Sequence, residues 1–147
     1  MLMDLYSRRI VGSAVQSDMT ESLVLAALRM AIRERQPAAG LIHHTDRGGQ
    51  YAGNVYRSIL RRAEIRAEIR AEIRDSMSRA NNCYDNSFME SVNGTVKTEL
   101  ESTEYKSTRH ALKEISEYIR YYNHDRKHSS IEYLSPAQFE QLTKRSK

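Results

Sequence analysis

The chain has 147 residues, with 23 Lys and Arg against 19 Asp and Glu, a net charge of +4 and a pI near 9.3. That fits one ordinary domain or part of a larger one, and it leans mildly toward polyanionic partners without selecting any. One cysteine, Cys83, excludes an intramolecular disulfide and suits a reducing compartment. No apolar run approaches the ~18 residues of a membrane span, and the stretch before Asp4 is too short for a signal peptide, so a soluble, cytoplasmic protein is expected.

Residues 1–6 are apolar from the start, and residues 9–15 are β-rich after the polar Ser7 and Arg8. Together they predict the end of one strand, a turn and a second strand. Asp4 is acidic and early, but its neighbours read as a turn rather than a catalytic position. Residues 18–35 predict a helix capped by Asp18 or Thr20, with Glu21 in capping-box spacing from Asp18. Leu23, Leu25, Ala26, Leu28, Met30, Ala31 and Ile32 form its apolar face, and Pro37 and Gly40 stop it. A short strand, Leu41-Ile42-His43-His44, then runs to Asp46. A second helix is expected from Tyr51 to Arg62, with Val55, Ile59 and Leu60 facing inward. Alternating strands and helices argue for an α/β layer structure in which functional residues lie at the carboxyl ends of strands, where Asp46 falls.

Ala-Glu-Ile-Arg then occurs three times in tandem, at 63–66, 67–70 and 71–74. On a helix each four-residue step stacks Glu64 on Glu68 on Glu72, and Arg66 on Arg70 on Arg74, which is mildly destabilising. The repeat therefore reads as a replication slip. Its extra eight residues are expected to extend the preceding helix by about two turns, roughly 12 Å, or else to loop out, and a chain lacking residues 63–70 should be more soluble. Residues 73–78 read as a last strand. After a polar loop, Asp85 can cap a helix over residues 86–100, on which Asn86, Glu90, Asn93 and Lys97 share one face. Another amphipathic helix, capped by Ser107 or Thr108, should cover residues 107–123 with Ala111, Leu112, Ile115, Tyr118, Ile119 and Tyr122 as its stripe. A mixed aromatic and basic segment follows, and Lys144, Arg145 and Lys147 look like a frayed tail.

Two motifs carry chemistry. His43-His44-Thr45-Asp46-Arg47-Gly48-Gly49-Gln50-Tyr51 takes an acidic residue into a Gly-Gly turn, where glycine adopts positive φ at little cost. Asn82-Cys83-Tyr84-Asp85-Asn86-Ser87-Phe88-Met89-Glu90 leads a glutamate into a helix. Forty-three residues separate Asp46 from Glu90, and 35 would remain without two copies of the repeat. This spacing and these flanks resemble the second and third acidic residues of the DDE integrase core. The resemblance is closest to bacterial insertion-sequence transposases made from two overlapping reading frames. It continues through Asp4-Leu5-Tyr6-Ser7-Arg8-Arg9-Ile10-Val11-Gly12, through the Tyr-Asn-x-x-Arg-x-His of Tyr122 to His128, and through Ser135-Pro136-Ala137.

The resemblance implies a ribonuclease-H-like α/β integrase catalytic core over residues 1–100. The core is expected to be incomplete, because the first strand and its aspartate belong upstream of Met1; residues 101–147 would form a C-terminal helical extension. Asp46 and Glu90 are implied to be catalytic and to ligate metal, with two Mg²⁺ or Mn²⁺ ions in the complete family protein and weak or absent binding here. Paired ions about 3.5–4 Å apart stabilise the attacking and leaving oxygens in phosphodiester chemistry. Arg47, Lys97, Arg126, Lys127 and His128 are implied or candidate DNA contacts, with Gly48, Gly49, Asn86 and Asn93 supporting the site. His43 and His44 read as strand residues rather than ligands, since magnesium prefers oxygen, and Cys83 reads as a packing thiol. The implied partners are transposon ends and target DNA, together with a second copy or a companion transposase chain, and no membrane. The chain alone is expected to be inactive and marginally stable. The alternative is a nonenzymatic DNA-binding or oligomerising remnant that modulates a full-length transposase.

Overall fold

The computed structural model describes residues 1–38, 41–45, 51, 53–63, 66–67, 87–100 and 104–145, with the backbone alone at 66–67, 87–90 and 145. The chain opens with strand β1, Leu2–Met3, paired antiparallel to β2, Ile10–Gly12. Asp4 organises the turn between them. Its Oδ1 accepts hydrogen bonds from the backbone N–H of Tyr6 (2.9 Å) and Ser7 (3.2 Å), an Asx-type turn that makes Asp4 a turn former. Arg8 completes the reversal at φ 62°.

Helix α1, Glu21–Arg35, lies against β2. The approach is close enough that a Cβ on Gly12 would stand 2.3 Å from the Ala27 carbonyl oxygen, so only glycine fits there. Of the two caps expected for α1, Thr20 is the N-cap, but its side chain makes no cap bond. Its hydroxyl turns to Gln16 and Ser22, while the Asp18 carbonyl accepts from Thr20 N. The helix stops one residue before Pro37, where Gln36 adopts φ 40° and donates to the Ile32 carbonyl at 2.8 Å.

Strand β3, Ile42–His43, precedes helix α2, Asn54–Arg62. The inward face of α2 is the expected one at Leu60 and at Ile59, which packs against the same cluster, and departs from it at Val55. Val55 is 48% exposed, while Tyr56 and Leu60 are fully buried beside Leu25 and Leu28 of α1. Burying each of the latter pair contributes about 2–3 kcal/mol.

The repeat does not extend α2. The helix ends at Arg62, Ala63 is its C-cap, and Arg66–Ala67 form strand β4, parallel to β3 with Ile42 opposite Arg66 and His43 opposite Ala67. The physical reason is a second periodicity in the same twelve residues. Read with a period of two, Ala and Ile occupy every odd position and Glu and Arg every even one, and the even positions alternate in sign. A strand thus separates the like charges that a helix would stack. The expected strand at 73–78 and the polar loop with Asp85 lie outside the described residues.

Helix α3, Ser87–Glu99, and helix α4, Thr108–His124, follow. The Ser107 hydroxyl accepts from His110 N at 3.1 Å, the expected cap of α4. Ala111, Tyr118, Ile119 and Tyr122 are buried as the stripe requires, but Leu112 is 50% exposed. A 3-10 turn, Ser129–Ile131, leads into helix α5, Pro136–Arg145. Ser135 and Gln138 start α5 by exchanging side-chain and backbone bonds, Ser135 N to Gln138 Oε1 at 3.1 Å and Gln138 N to Ser135 Oγ at 3.4 Å, which is a capping box with Pro at the first helical position. Lys144 and Arg145 therefore end a helix rather than a frayed tail.

Successive strand residues face opposite ways, and the two apolar clusters follow from that. Leu2 packs with α1 and α2, whereas Met3 and Ile10 pack with Val92 and Val96 of α3 and Tyr118, Ile119 and Tyr122 of α4. Helices thus cover both faces of the β1–β2 hairpin. A charged cluster closes one side: Arg9 Nη1 reaches Glu140 Oε2 of α5 at 2.9 Å, Arg35 Nη2 reaches Asp4 Oδ2 at 2.7 Å, and Arg35 also bonds Glu140.

Candidate functional site

Strand β3 leads toward Asp46 and is fixed by α2. His43 Nε2 lies 2.7 Å from the Tyr56 hydroxyl, and Tyr51 meets the Tyr56 ring edge-on at 5.4 Å. Burial, reinforced by His44, pushes His43 down to about 4, so the ring is neutral at ordinary pH. Burial also raises the Tyr56 phenol, which stays protonated. A histidine held this way anchors a strand and does not offer its Nε2 to a metal. Asp46, Arg47, Gly48, Gly49 and Asn86 lie outside the described residues.

Glu90 sits on the first turns of α3. Val92 and Val96 bury one side of that helix, and positions 90, 93 and 97 fall on the other. Asn93 and Lys97 are exposed there. Among the described residues no group of three His, Cys, Asp or Glu side chains could hold a metal ion.

The segment after α4, singled out for DNA, behaves differently. Arg126 lies along Glu99 at the end of α3, with Nε 2.9 and 3.0 Å from the two carboxylate oxygens and Nη2 2.8 Å from Oε1. Its guanidinium stands 5.6 Å from the Tyr122 ring centroid, and its Nη1 is 3.1 Å from His128 Nδ1. The Tyr118 hydroxyl donates to the same glutamate at 2.8 Å. The bonds from Arg126 hold the Glu99 carboxyl below its usual range against the opposing effect of desolvation, and those from Tyr118 add to them. His128 is buried, packs edge-on against Tyr122 with ring centroids 4.6 Å apart, and is shifted down by desolvation and by Arg126. Arg126 and His128 are thus turned inward, and of the three basic residues only Lys127 is exposed, bonded to Gln138 at 2.7 Å.

Asn123, from the same motif, went unassigned in the sequence and has a sharper role. Its Oδ1 accepts from Ile10 N and its Nδ2 donates to the Ile10 carbonyl, both at 2.9 Å. The amide does for β2 what a neighbouring strand would do, satisfying a buried edge. The signal available in the sequence was a lone Asn on the buried face of α4, next to Tyr122.

Residues 1–83 match one family model described as an integrase core domain, and residues 71–136 match a second with the same description. The chain belongs to the integrase core domain family. Its mixed α/β architecture accords with the ribonuclease-H-like core of that family. This integrase-core chain is 43% identical over 138 residues to an uncharacterized 31 kDa protein of insertion element IS600 from Shigella sonnei, covering 92% of this chain and 48% of the relative. It is 42% identical over 139 residues to the transposase for insertion sequence element IS904 from Lactococcus lactis, covering 93% and 52%. Transposase InsF for insertion sequence IS3A from Escherichia coli is 37% identical over 141 residues, covering 95% and 46%. The chain spans about half the length of the curated relatives it matches. No solved structure matches it, and among the described residues no helix is long and apolar enough to cross a membrane.

Proposed function

We propose that this chain supplies Asp46 and Glu90 as two of the three carboxylates of a metal-dependent phosphodiester-transfer site acting on DNA in transposition. The support is the order of the two acidic motifs inside the matched integrase-core spans, together with an α3 that buries Val92 and Val96 and leaves Asn93 and Lys97 exposed. Asp46 would come from the turn after β3 and Glu90 from α3, and their oxygen donors suit a hard divalent cation. When bound, such a cation stabilises charge on the attacking and leaving oxygens.

The chain's own residues do the rest. Tyr56 fixes His43 and so the start of the turn that carries Asp46. Lys97 and Lys127, both exposed, would meet phosphate oxygens. By motif Arg47 would share that role, with Gly48 and Gly49 as the expected turn residues and Asn86 and Asn93 as supporting residues beside Glu90. Arg126, bonded to Glu99, and buried His128 beside it tie the turn after α4 to the end of α3. Residues 1–100 would provide the core and residues 101–147 its helical extension, in the cytoplasm, in a homo-oligomer or beside a companion chain. Asp4 cannot stand in as the third carboxylate, because it is committed to the turn and to Arg35. Polypeptide of these 147 residues is therefore expected to bind metal weakly and to cleave no DNA by itself.

Mn²⁺ titration followed by electron paramagnetic resonance tests the reading. Binding should weaken at least about tenfold in Asp46→Asn or in Glu90→Gln, one lost ligand being comparable to about 1.4 kcal/mol or more, and should be unchanged in Asp4→Asn. Equal affinity in all four proteins would remove the metal assignment. Metal-dependent cleavage lost in Asp46→Asn would remove the inactivity.

A further inference from the structure

Helix α4 buries one side and exposes a row on the other. Arg109, Lys113, Arg120 and His124 recur at intervals of four, seven and four residues, which places them along a single helical face, and all four are exposed. Lys106 before the helix and Lys127 after it extend the row, both exposed. Acidic side chains are mostly elsewhere around the helix: Glu114 is taken up by His110 at 3.1 Å, and Asp125 lies well around the circumference. Of the acidic residues on α4, Glu117 borders the row, reaching Lys113 at a loose 3.9 Å with both groups about two-thirds exposed or more. A pair of that kind contributes about 0.5 kcal/mol or less, too little to hold Lys113 from another anion.

The row is also the longest of its kind among the described helices. Arg29 and Arg33 on α1, and Arg57 and Arg61 on α2, each cover about one turn. From Arg109 to Arg120 the separation is about 16 Å at 1.5 Å per residue. Phosphates of one DNA strand follow every 3.4 Å along the duplex axis, so a row of that length runs beside about five of them.

We propose that the outward face of α4 is a docking surface for the phosphate backbone of duplex DNA, with Arg109, Lys113 and Arg120 as its principal contacts. This rests on the DNA reading above and adds a surface outside the acidic motifs. The contacts position the protein without reading sequence, since they meet phosphates rather than base edges. Arginine at Arg109 and Arg120 favours paired N–H···O contacts to phosphates.

Fluorescence anisotropy of the protein on a labelled duplex of arbitrary sequence, across a salt series, tests the proposal. The triple variant Arg109→Gln, Lys113→Gln, Arg120→Gln should bind at least about tenfold more weakly at low salt, and the slope of log K against log salt should shrink by about 2–3, near 0.9 per lost phosphate contact. A control triple, Arg29→Gln, Arg33→Gln, Arg57→Gln, removes the same charge elsewhere and should change the slope much less. Equal loss in both triples, an unchanged slope in the first, or preference for anionic lipid vesicles over DNA overturns the docking surface. Mn²⁺ binding that still depends on Asp46 and Glu90 in the first triple leaves the catalytic reading standing whichever way the DNA result falls, and loss of that dependence in wild type removes the catalytic reading alone.

Discussion

Arg120 and Arg126 are six residues apart in a basic stretch, and the structure gives them opposite surroundings. Arg126, half-buried, is held by Glu99, covered by the Tyr122 ring and bonded to His128, so its charge is already partnered within the protein. Arg120 stands on the outer face of α4, in line with Arg109 and Lys113. A motif rich in Arg, Lys and His therefore does not name its own ligand. What separates a structural arginine from a docking arginine is whether a carboxylate distant in sequence has been folded up against it.

The inward side of that contrast breaks hardest at Asn123. Asn123→Ala strips both bonds from Ile10 and leaves a buried strand edge unsatisfied, so urea unfolding should show a loss of about 2–4 kcal/mol. His43 is the titrating counterpart of the same inward class. Its folded value near 4 lies below the ordinary 6.5, so between those pH values the unfolded chain binds more protons and stability climbs as pH rises, by about 2–4 kcal/mol in all. A stability–pH curve should show that climb in wild type and lose it in His43→Gln.

Glu140→Gln comes next, at about 2 kcal/mol, because it leaves Arg9 and Arg35 partly buried without their shared partner. Burial works against the Glu140 charge, yet bonds from Arg35, Ser7 and Arg9 outweigh it and keep the carboxyl below its usual range. Its contribution is therefore present above the unfolded carboxylate value and vanishes as pH drops through the folded one, and the variant should have a flatter acid limb. Arg126→Gln should cost about 1 kcal/mol, the pair being partly solvated, and a double-mutant cycle with Glu99→Gln should be non-additive. Removing Arg109, Lys113 and Arg120 together should move the unfolding midpoint by less than about 0.5 kcal/mol in equivalent stability. A large loss there would put those residues in the same class as Arg126.

Helix α4 was legible because its stripe and Ser107 cap are local signals, and so was the β1–β2 hairpin. The acidic motifs were legible through their flanks. Arg126 was not, because nothing near it announces Glu99, 27 residues earlier, and Asn123 was not, because its partner is 113 residues away. Tyr56 took the buried place expected for Val55 because it and Leu60, one turn apart, are the α2 residues that meet Leu25 and Leu28 of α1, a contact between helices that α2 alone does not announce. The repeat misled for a different reason: a four-residue unit satisfies the helical and the extended period at once, and only the signs of its charges favour the second.

A four-residue tandem unit keeps its faces when it is shifted along a strand by one copy. Four residues make two full pleats, about 13 Å of extended chain, so sliding β4 along β3 by one copy would return an Arg-Ala pair opposite Ile42 and His43, with Ile and Ala still on one side. The ladder has interchangeable rungs, and its alignment is fixed only to within a multiple of four. A unit of odd length would instead turn the strand over at every shift. An even one leaves inside and outside where they were.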